Sequence, residues 1–515
     1  MEIKTSQRIR RTSPSLGHAL LAAAASTVLP GAGHLLLGRC RAGALILATF
    51  LLALGCAATA AATLGRTRLV VLALDSRVLT AVMVGCAVAA LLWVAVIVRT
   101  YLIAGPTGPS LGRRVLGLAT VGVLGLTVAV PFGAAVELAR SQRALINTLF
   151  PADPAAGSVD GSAAAAALPA QLNVLLFGSD AGSDRTGTRS DSMMVASINT
   201  ASSRAVVFGL PRNIEHAPFP PGSTMAAMFP HGFFDPHNPQ SGDYLLNAEY
   251  TYATQHPQFA PGRPTTDPGL NLLMSSTAQM LGIPVNYYLK VDMAGFAAII
   301  DALGGVTIDV GPVPLPIGGV LPDGTHVPPE GYIPAGVHHL DGNQALWYVR
   351  SRRNSDDYNR MSRQRCLIHT VLAQNSVTDL LTHFRAVAAA TTTSVSTNVP
   401  QAFLPALATL AGDGSSDGSS DGVGPDQHIA GIAFDPSLPD PYRRDGRFDP
   451  ADPDFGYMRQ VVAAAVAGSK AISTSPPTRV PPSSRKAGSA PPASQPAPLA
   501  DSCATSSNDS QTSVP

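Results

Sequence analysis

Acidic residues are scarce in the first 140 positions of the sequence, where only Glu2, Asp75 and Glu137 carry a negative charge. Three stretches in this region, each of 21 to 23 residues, carry no charge at all: 42–64, 78–98 and 115–136. A helix of that length crosses a hydrocarbon core of about 30 Å. A helix packed on a water-soluble core would keep a polar face, and these three have none. The missing charges exclude a soluble N-terminal domain and predict three membrane spans.

Cysteine is also scarce, with five residues in 515. Cys40, Cys56 and Cys86 belong to the predicted membrane region, which leaves only Cys366 and Cys503. Two cysteines do not make a disulfide framework, so we expect Cys366 to pack as a buried thiol rather than to pair with the tail. The net charge of +1 means that the chain has no large excess of positive charge for binding a polyanion. The HExxH motif of zinc proteases and the phosphate-binding loop of P-loop nucleotide-binding proteins are absent from the sequence.

Composition divides the chain into four parts. Basic clusters flank the apolar stretches on the sides that the positive-inside rule places in the cytoplasm, so everything after Arg143 is expected outside. A segment broken by Pro30 and Gly31 precedes the first span and is either re-entrant or a poor span. The predicted parts are a membrane region (1–140, with the broken segment 16–38), a stalk (141–170), a compact domain (171–468, with a loop insertion at 412–424) and a disordered Ser/Pro-rich tail (469–515).

Strand and helix patterns alternate in the compact domain. The predicted strands are 173–177, 193–198, 205–210, 287–291 and 306–310, and the predicted helices are 270–281, 294–303, 341–348 and 361–373. This alternation is typical of an α/β protein. We therefore expect a layered α/β/α ectodomain with a central mixed sheet, preceded by an α-helical transmembrane region.

Six arginines and no lysine lie in the sixteen residues from Arg350 to Arg365. Arginine donates two parallel hydrogen bonds and stays charged, which suits a site that holds phosphate or pyrophosphate. The alternative is a solvated, salt-bridged helix face. Lys290 is the only lysine between residues 171 and 468, and it lies among apolar neighbours. It is either a ligand-binding residue or an edge-strand lysine that prevents aggregation.

Polar residues follow the apolar strands. Asp180 comes directly after the first predicted strand, Asp191 directly before the second, and Arg212 just after the third. Ligands of open α/β sheets gather at the carboxyl ends of strands, and two carboxylates suit Mg²⁺. The alternative for the aspartates is a loop stabilised by its own side chains. Asp357, Arg360 and Gln364 share one helix face that we expect to meet a ligand.

Several motifs, taken in order, resemble the LytR-CpsA-Psr family. They are Asn173-Val-Leu-Leu-Phe-Gly-Ser-Asp180, Arg189-Ser-Asp191, Leu210-Pro-Arg212, Asn247-Ala-Glu-Tyr, Gly304-Gly-Val, Gly336-Val-His-His-Leu-Asp-Gly-Asn-Gln-Ala-Leu, Arg350-Ser-Arg352 and Arg363-Gln364. The similarity covers residues 171–373. Gly209 and Asn213 depart from the pattern, since many members have Ser and Asp there.

The resemblance implies a membrane-anchored, multi-pass protein whose catalytic domain lies outside the cytoplasmic membrane. It implies a phosphotransferase that moves a glycan phosphate from a polyprenyl-pyrophosphate carrier to peptidoglycan, beside the membrane lipid. By position, Asp180 and Asp191 match the magnesium-site carboxylates, and Asp180 is our candidate base. The residues assigned to catalysis with Asp180 are Arg212, Arg350 and Arg352, and those assigned to pyrophosphate or lipid binding are Arg189, Asn247, Lys290, Asp357, Arg360, Arg363 and Gln364.

Two other functions stay open at this stage. The family has also been described as transcriptional attenuators, so a cell-envelope-related regulator is one alternative. The net charge and the predicted topology argue against nucleic acid as a partner. A non-catalytic scaffold that binds the cell wall is the other alternative. The sequence does not identify the glycan.

Overall fold

The computed structural model describes residues 16–64, 66–105, 111–151, 168–179, 190–238, 241–261, 266–318, 327–351, 356–375, 394–414, 429–470 and 496–503. Contacts between residues divide the chain into an N-terminal unit, Met1–Ala144, and a C-terminal unit, Leu145–Pro515. The two units are described separately below.

The regular elements in the described part of the N-terminal unit are helices. Its helices are α1 (Leu16–Val28), α2 (Ala32–Leu36), α3 (Cys40–Thr63), α4 (Arg66–Leu74), α5 (Ser76–Ala104) and α6 (Leu111–Leu149), the last of which continues into the C-terminal unit. Of these, α3, α5 and α6 are long and apolar enough to cross a membrane, with 24, 29 and 39 residues. They contain the three predicted spans almost completely. The helical transmembrane region expected from the sequence is thus present.

Two details of this unit differ from, or add to, the expected organisation. Helix α6 ends at Leu149, so the start of the segment predicted as a stalk continues the third long helix. The first segment is broken as expected, because α1 ends at Val28 and Gly31 takes a positive φ of 95° before α2 begins. Buried polar groups fix the break: Thr100 Oγ1 of α5 lies 3.0 Å from Ser26 Oγ and 3.0 Å from His34 Nδ1.

The C-terminal unit is built on a mixed seven-stranded sheet. Its strands are β1 (Gln171–Ser179), β2 (Ser190–Asn199), β3 (Arg204–Leu210), β4 (Tyr287–Asp292), β9 (Val395–Thr397), β10 (Ile429–Ala433) and β11 (Ala497–Pro498). Their order in the sheet is β11-β10-β3-β2-β1-β4-β9. Two small sheets pair β5 (Val306–Asp309) with β8 (Val337–Leu340) and β6 (Leu315–Ile317) with β7 (Gly331–Ile333).

Helices cover both faces of the central sheet. They are α7 (Thr224–Met228), α8 (Glu249–Gln255), α9 (Pro268–Leu281), α10 (Met293–Ala302), α11 (Gly342–Arg350), α12 (Asp357–Gln374), α13 (Leu404–Gly414) and α14 (Phe455–Lys470), with 3-10 turns at Gly242–Tyr244, Leu246–Ala248 and Gln401–Phe403. Successive side chains of a strand point to opposite faces. Leu175 and Phe177 accordingly pack in the large core with α9 and α14, while Leu176 packs with Ile368 of α12. The layered α/β/α class is confirmed.

The expected strands and helices of this unit are all present, within a few residues of their predicted ends. One predicted strand, 306–310, does not belong to the central sheet, since it forms β5 of the small β5–β8 sheet. Its residues pack in a second core, with Cys366 and Leu367 of α12.

The prediction for Cys366 was wrong, and so was part of the prediction for the tail. Cys366 is buried but forms a disulfide with Cys503, with a Cα–Cα distance of 4.7 Å. Residues 496–503 return to the sheet, where β11 pairs with β10 and Leu499 is 1% exposed. A single buried leucine four residues before a cysteine anchors this segment, and such a short signal is lost in a tail of low apolar content.

Candidate functional site

One edge of the central sheet collects the polar residues of the predicted site. Strands β1, β3, β4 and β10 run in the same direction, since β1 is parallel to β4, β3 is parallel to β10, and β2 is antiparallel to both β1 and β3. Their carboxyl ends therefore share an edge with the start of β2. Arg212 follows β3 there, and Asp435 follows β10.

Two arginines hold one carboxylate at this edge. Arg212 Nε lies 3.1 Å from Asp357 Oδ1, and Arg360 Nη2 lies 3.0 Å from the same oxygen. Arg360 is 3% exposed, whereas the side chains of Arg212 and Asp357 are 24% and 20% exposed. The cluster thus has a buried end on α12 and a partly open end at the sheet, and it carries one net positive charge. We call Arg212, Asp357 and Arg360 the arginine cluster.

Local sequence explains why α12 begins here. Asp356 is the N-cap, and its side chain accepts a hydrogen bond from the backbone N–H of Asn359. An aspartate in the first turn, such as Asp357, interacts favourably with the positive end of the helix dipole. The helix start therefore places Asp357 where Arg212 can reach it.

Arg363 and Gln364 contact the neighbouring helix. Arg363 donates from Nε to the carbonyl of Tyr348 at 2.9 Å and from Nη2 to the carbonyl of Ser351. Gln364 Nε2 donates to the carbonyl of Val349 at 3.3 Å. These bonds satisfy carbonyls at the end of α11, which otherwise lack helical partners. Burial lowers the pKa of Arg363 to about 10.

The end of α11 carries another of the predicted arginines. Arg350 is the last residue of the helix, and its Cζ lies 5.2 Å from the centre of the Trp347 ring, a cation–π contact. Arg363 and Gln364 thereby hold the backbone from which Arg350 extends. Their predicted binding role stays a prediction, and the contacts give them a positioning role.

Lys290 lies on β4 opposite Phe177 of β1, two residues before the end of the strand. Its Nζ donates to Tyr250 Oη at 2.6 Å and lies 3.7 Å from Asp267 Oδ2. Tyr250 in turn donates to Asp267 Oδ2 at 2.8 Å. Burial and this hydrogen bond raise the pKa of Tyr250, so the phenol stays neutral. Lys290 is thus an ordered, half-buried cation, which differs from a solvated edge lysine.

Asn247 connects its segment to the arginine cluster through the backbone. Its N–H donates to the carbonyl of Arg212 at 3.0 Å, and the residue is 5% exposed. Its side-chain Oδ1 has no hydrogen-bond partner among the residues that the structure describes. A buried acceptor without a partner is costly, so it is suited to receive a donor from a ligand.

Three predicted site residues, Asp180, Arg189 and Arg352, lie outside the described residues, and for Asp191 the structure gives only the backbone. The register pairs Ser179 with Ser190, the residues that precede Asp180 and Asp191 in the sequence. Ser179 Oγ is buried without a hydrogen-bond partner in the described part of the chain.

Sequence reasoning missed Asp435 and its partner Arg365. Arg365 Nη2 lies 3.9 Å from Asp435 Oδ2, and burial lowers the pKa of this arginine. The available signal was that Asp435 follows a short apolar strand, as Asp180 does. Strand β10 itself was not predicted, because its five residues include two alanines and a glycine.

The comparison with family models matches residues 152–420, more than half of the chain, to the LytR_cpsA_psr family. The chain belongs to the LytR-CpsA-Psr family. Among its relatives is the Polyisoprenyl-teichoic acid--peptidoglycan teichoic acid transferase TagU of Bacillus cereus (strain AH820), 27% identical over 234 residues that cover 45% of this chain and 61% of TagU. Biofilm regulatory protein A of Streptococcus mutans is 28% identical over 236 residues, covering 44% of this chain and 50% of that protein.

Solved structures give weaker similarities. The LytR-Csp2A-Psr enzyme from Actinomyces oris has a TM-score of 0.33 and 20% identity, covering 57% of this chain and 89% of that one. TagV from B. subtilis has a TM-score of 0.36 and 20% identity, covering 57% and 96%. At such TM-scores these similarities add nothing to the family assignment.

Proposed function

We propose that the protein is a membrane-anchored phosphotransferase that transfers a glycan phosphate from a polyprenyl-pyrophosphate carrier to a hydroxyl of peptidoglycan. The observation that carries the proposal is the arginine cluster at the carboxyl edge of the sheet. Family membership and the transferase activity named for TagU support the same reaction class.

The proposed step needs charge neutralisation more than covalent chemistry from the protein. The acceptor oxygen forms a bond to the phosphorus that carries the glycan, and the bond from that phosphorus to the bridging oxygen breaks. Polyprenyl phosphate leaves with the bridging oxygen and its electron pair. The proton of the acceptor hydroxyl passes to a base, for which Asp180 is our candidate. Arg212, the more exposed arginine of the cluster, would contact the pyrophosphate, while Arg360 stays buried against Asp357.

Asp180 and Asp191 would hold Mg²⁺ in this proposal. Hard oxygen ligands suit the ion, and the β1–β2 register pairs Ser179 with Ser190, the residues that precede the two aspartates in the sequence. The Ser179 hydroxyl has no hydrogen-bond partner among the described residues. When bound, Mg²⁺ supplies further neutralisation of phosphate charge. Arg212 and Arg350 would orient the pyrophosphate from the protein side.

Two features support an extracytoplasmic, multi-pass placement. The N-terminal unit has three helices long and apolar enough to span a membrane. The C-terminal unit has a disulfide, Cys366–Cys503, and such bonds form and persist mainly in oxidising compartments outside the cytoplasm. An external site would meet both peptidoglycan and the carrier lipid.

The test is phosphate release from geranyl pyrophosphate by the full-length chain in detergent, with and without Mg²⁺. We expect Arg212→Ala to lower the rate by about 100-fold or more, the usual effect of losing a group that neutralises developing charge. Arg204→Ala is the matched control, because Arg204 begins the same strand at its opposite end. We expect that control to retain the wild-type rate.

Three results would contradict the proposal. Equal losses in both variants would mean that the effect is not specific to the carboxyl edge. Wild-type protein that binds the lipid but releases no phosphate, even with peptidoglycan fragments added, would favour the scaffold function. Wild-type protein that neither binds the lipid nor releases phosphate would favour the regulator.

A further inference from the structure

A cavity of about 670 Å³ lies in the C-terminal unit, beside the arginine cluster. Its walls come from the first three turns of α12, from β10 and the segment after it, and from residues 497–502 of the returning tail. The volume lies within the range of about 300–1,000 Å³ that is usual for small-molecule sites. None of the residues assigned above to phosphate or metal binding lines it.

The cavity and the arginine cluster share one turn of helix. Asp356 and Tyr358 line the cavity and flank Asp357, the carboxylate of the cluster. The side chain of Tyr358 also lies close to that of Asn213, the residue after Arg212. A ligand in the cavity would therefore lie next to the predicted phosphate, in the direction of β10.

The charges that line the cavity are mixed, in contrast to the arginine cluster. The charged residues among its lining are Asp356, Asp435, Asp501, Arg365 and Arg447, of which Arg365 and Asp435 lie 3.9 Å apart. A site for pyrophosphate would have an excess of cations. A polyhydroxyl ligand suits mixed charge, because each hydroxyl donates to a carboxylate and accepts from a guanidinium.

Arg365 has one buried hydrogen-bond donor whose partner is missing among the described residues. Its side chain is 10% exposed, and its Nη1 has no hydrogen-bond partner within the described ranges. Position 209 is glycine, and a Cβ there would crowd Nη1 at a distance of 3.3 Å. A buried donor without a partner is costly unless a ligand or water accepts from it.

We propose that this cavity binds a saccharide unit of the acceptor glycan. The inference rests on the proposed function, since it adds the acceptor subsite of the same reaction. The saccharide would sit between α12 and the tail, with Arg447 and Asp501 as its solvent-side contacts, and would present its hydroxyl towards the arginine cluster. The disulfide holds the tail wall in place, because Cys503 follows the last lining residue, Ser502.

The experiment is calorimetric titration of the full-length chain in detergent with the disaccharide of N-acetylglucosamine and N-acetylmuramic acid, without lipid. We expect saturable binding that weakens about tenfold or more in Arg447→Ala and in Asp501→Ala, the usual effect of losing a hydrogen bond to a charged group. Arg444→Ala is the matched control. It removes an exposed arginine from the same loop, outside the cavity lining, and should bind as wild type does.

Other outcomes would overturn the inference. They are an absence of binding by wild type, equal affinity in all four proteins, the same loss in Arg444→Ala, or displacement of the disaccharide by an equal concentration of inorganic pyrophosphate. Because the titration contains no lipid, it can be read whatever the donor chemistry is. Phosphate release from geranyl pyrophosphate, measured without saccharide, tests the proposed function alone.

Discussion

Replacing Cys503 with serine would remove the covalent link between α12 and the returning tail. The choice of Cys503 over Cys366 matters, because Cys366 is 1% exposed and a serine there would also bury a hydroxyl. Without the disulfide, β11 is held to the sheet by two residue pairs, Ala430 with Pro498 and Gly431 with Ala497, and by the burial of Leu499.

The size of the effect follows from the length of the closed loop. The two cysteines are 137 residues apart. In the chain-entropy model, closing a loop of that length destabilises the unfolded chain by about 5 kcal/mol at room temperature. Measured effects of disulfides usually fall below the model value. We therefore expect Cys503→Ser to lower the free energy of unfolding by about 2–5 kcal/mol.

Trp347 offers a local probe for the measurement. The protein has two tryptophans, and Trp347 packs against the core that contains Cys366, whereas Trp93 belongs to the N-terminal unit. In a Trp93→Phe background, the fluorescence of the full-length chain in detergent would follow urea unfolding around α11 and α12. A reducing agent should shift the wild-type curve to that of Cys503→Ser and leave the variant unchanged.

A loss below about 0.5 kcal/mol would refute the reasoning, because that is the range of ordinary surface substitutions. The same conclusion would follow if the reducing agent shifted both curves equally. In that case the agent would act on something other than Cys366–Cys503.

Two further predictions concern buried charges. Burial raises the pKa of the Glu249 carboxyl well above its ordinary value of 4.5. The contribution of this group to the free energy of unfolding is therefore fully present below pH 4.5 and is lost as the pH rises towards the raised pKa, by at most about 1.4 kcal/mol per pH unit. In urea titrations at pH 5 and 8, Glu249→Gln should reduce this loss, and the control Glu215→Gln should not. Arg363→Lys should lower the free energy of unfolding by about 1–3 kcal/mol, because one ammonium replaces a guanidinium that donates to two backbone carbonyls. Arg363→Met should lower it further.

The sequence predicted those elements whose apolar pattern is long. Helices of 24 to 39 residues and strands such as β1 and β2 carry a strong signal. Strands β6 to β11 have two to five residues each, and their positions depend on partners far away in the chain. The segment 496–503 is the extreme case, since one leucine and one cysteine anchor it.

In the candidate site, too, the contacts between residues far apart in the chain could not be predicted from the sequence. The types of residue and the strand ends that carry them were predictable, because polar residues directly after apolar strands point to one edge of a sheet. The pairing of Arg212 with Asp357 was not predictable, since 145 residues separate them and only the folded sheet places α12 beside β3. Arg365 and Asp435 were missed for that reason too.

The run from Arg350 to Arg365 is therefore not one uniform surface for holding pyrophosphate. Arg360 holds Asp357, Arg363 binds the carbonyls at the end of α11, and Arg365 pairs with Asp435 beside the cavity. These three arginines are 3%, 5% and 9% exposed, so they stabilise the protein around the site through internal contacts. In the proposed function, contact with phosphate is therefore assigned to the arginines at the ends of elements, Arg212 after β3 and Arg350 at the end of α11. The absence of lysine fits this division, because buried and bidentate positions both favour the planar guanidinium.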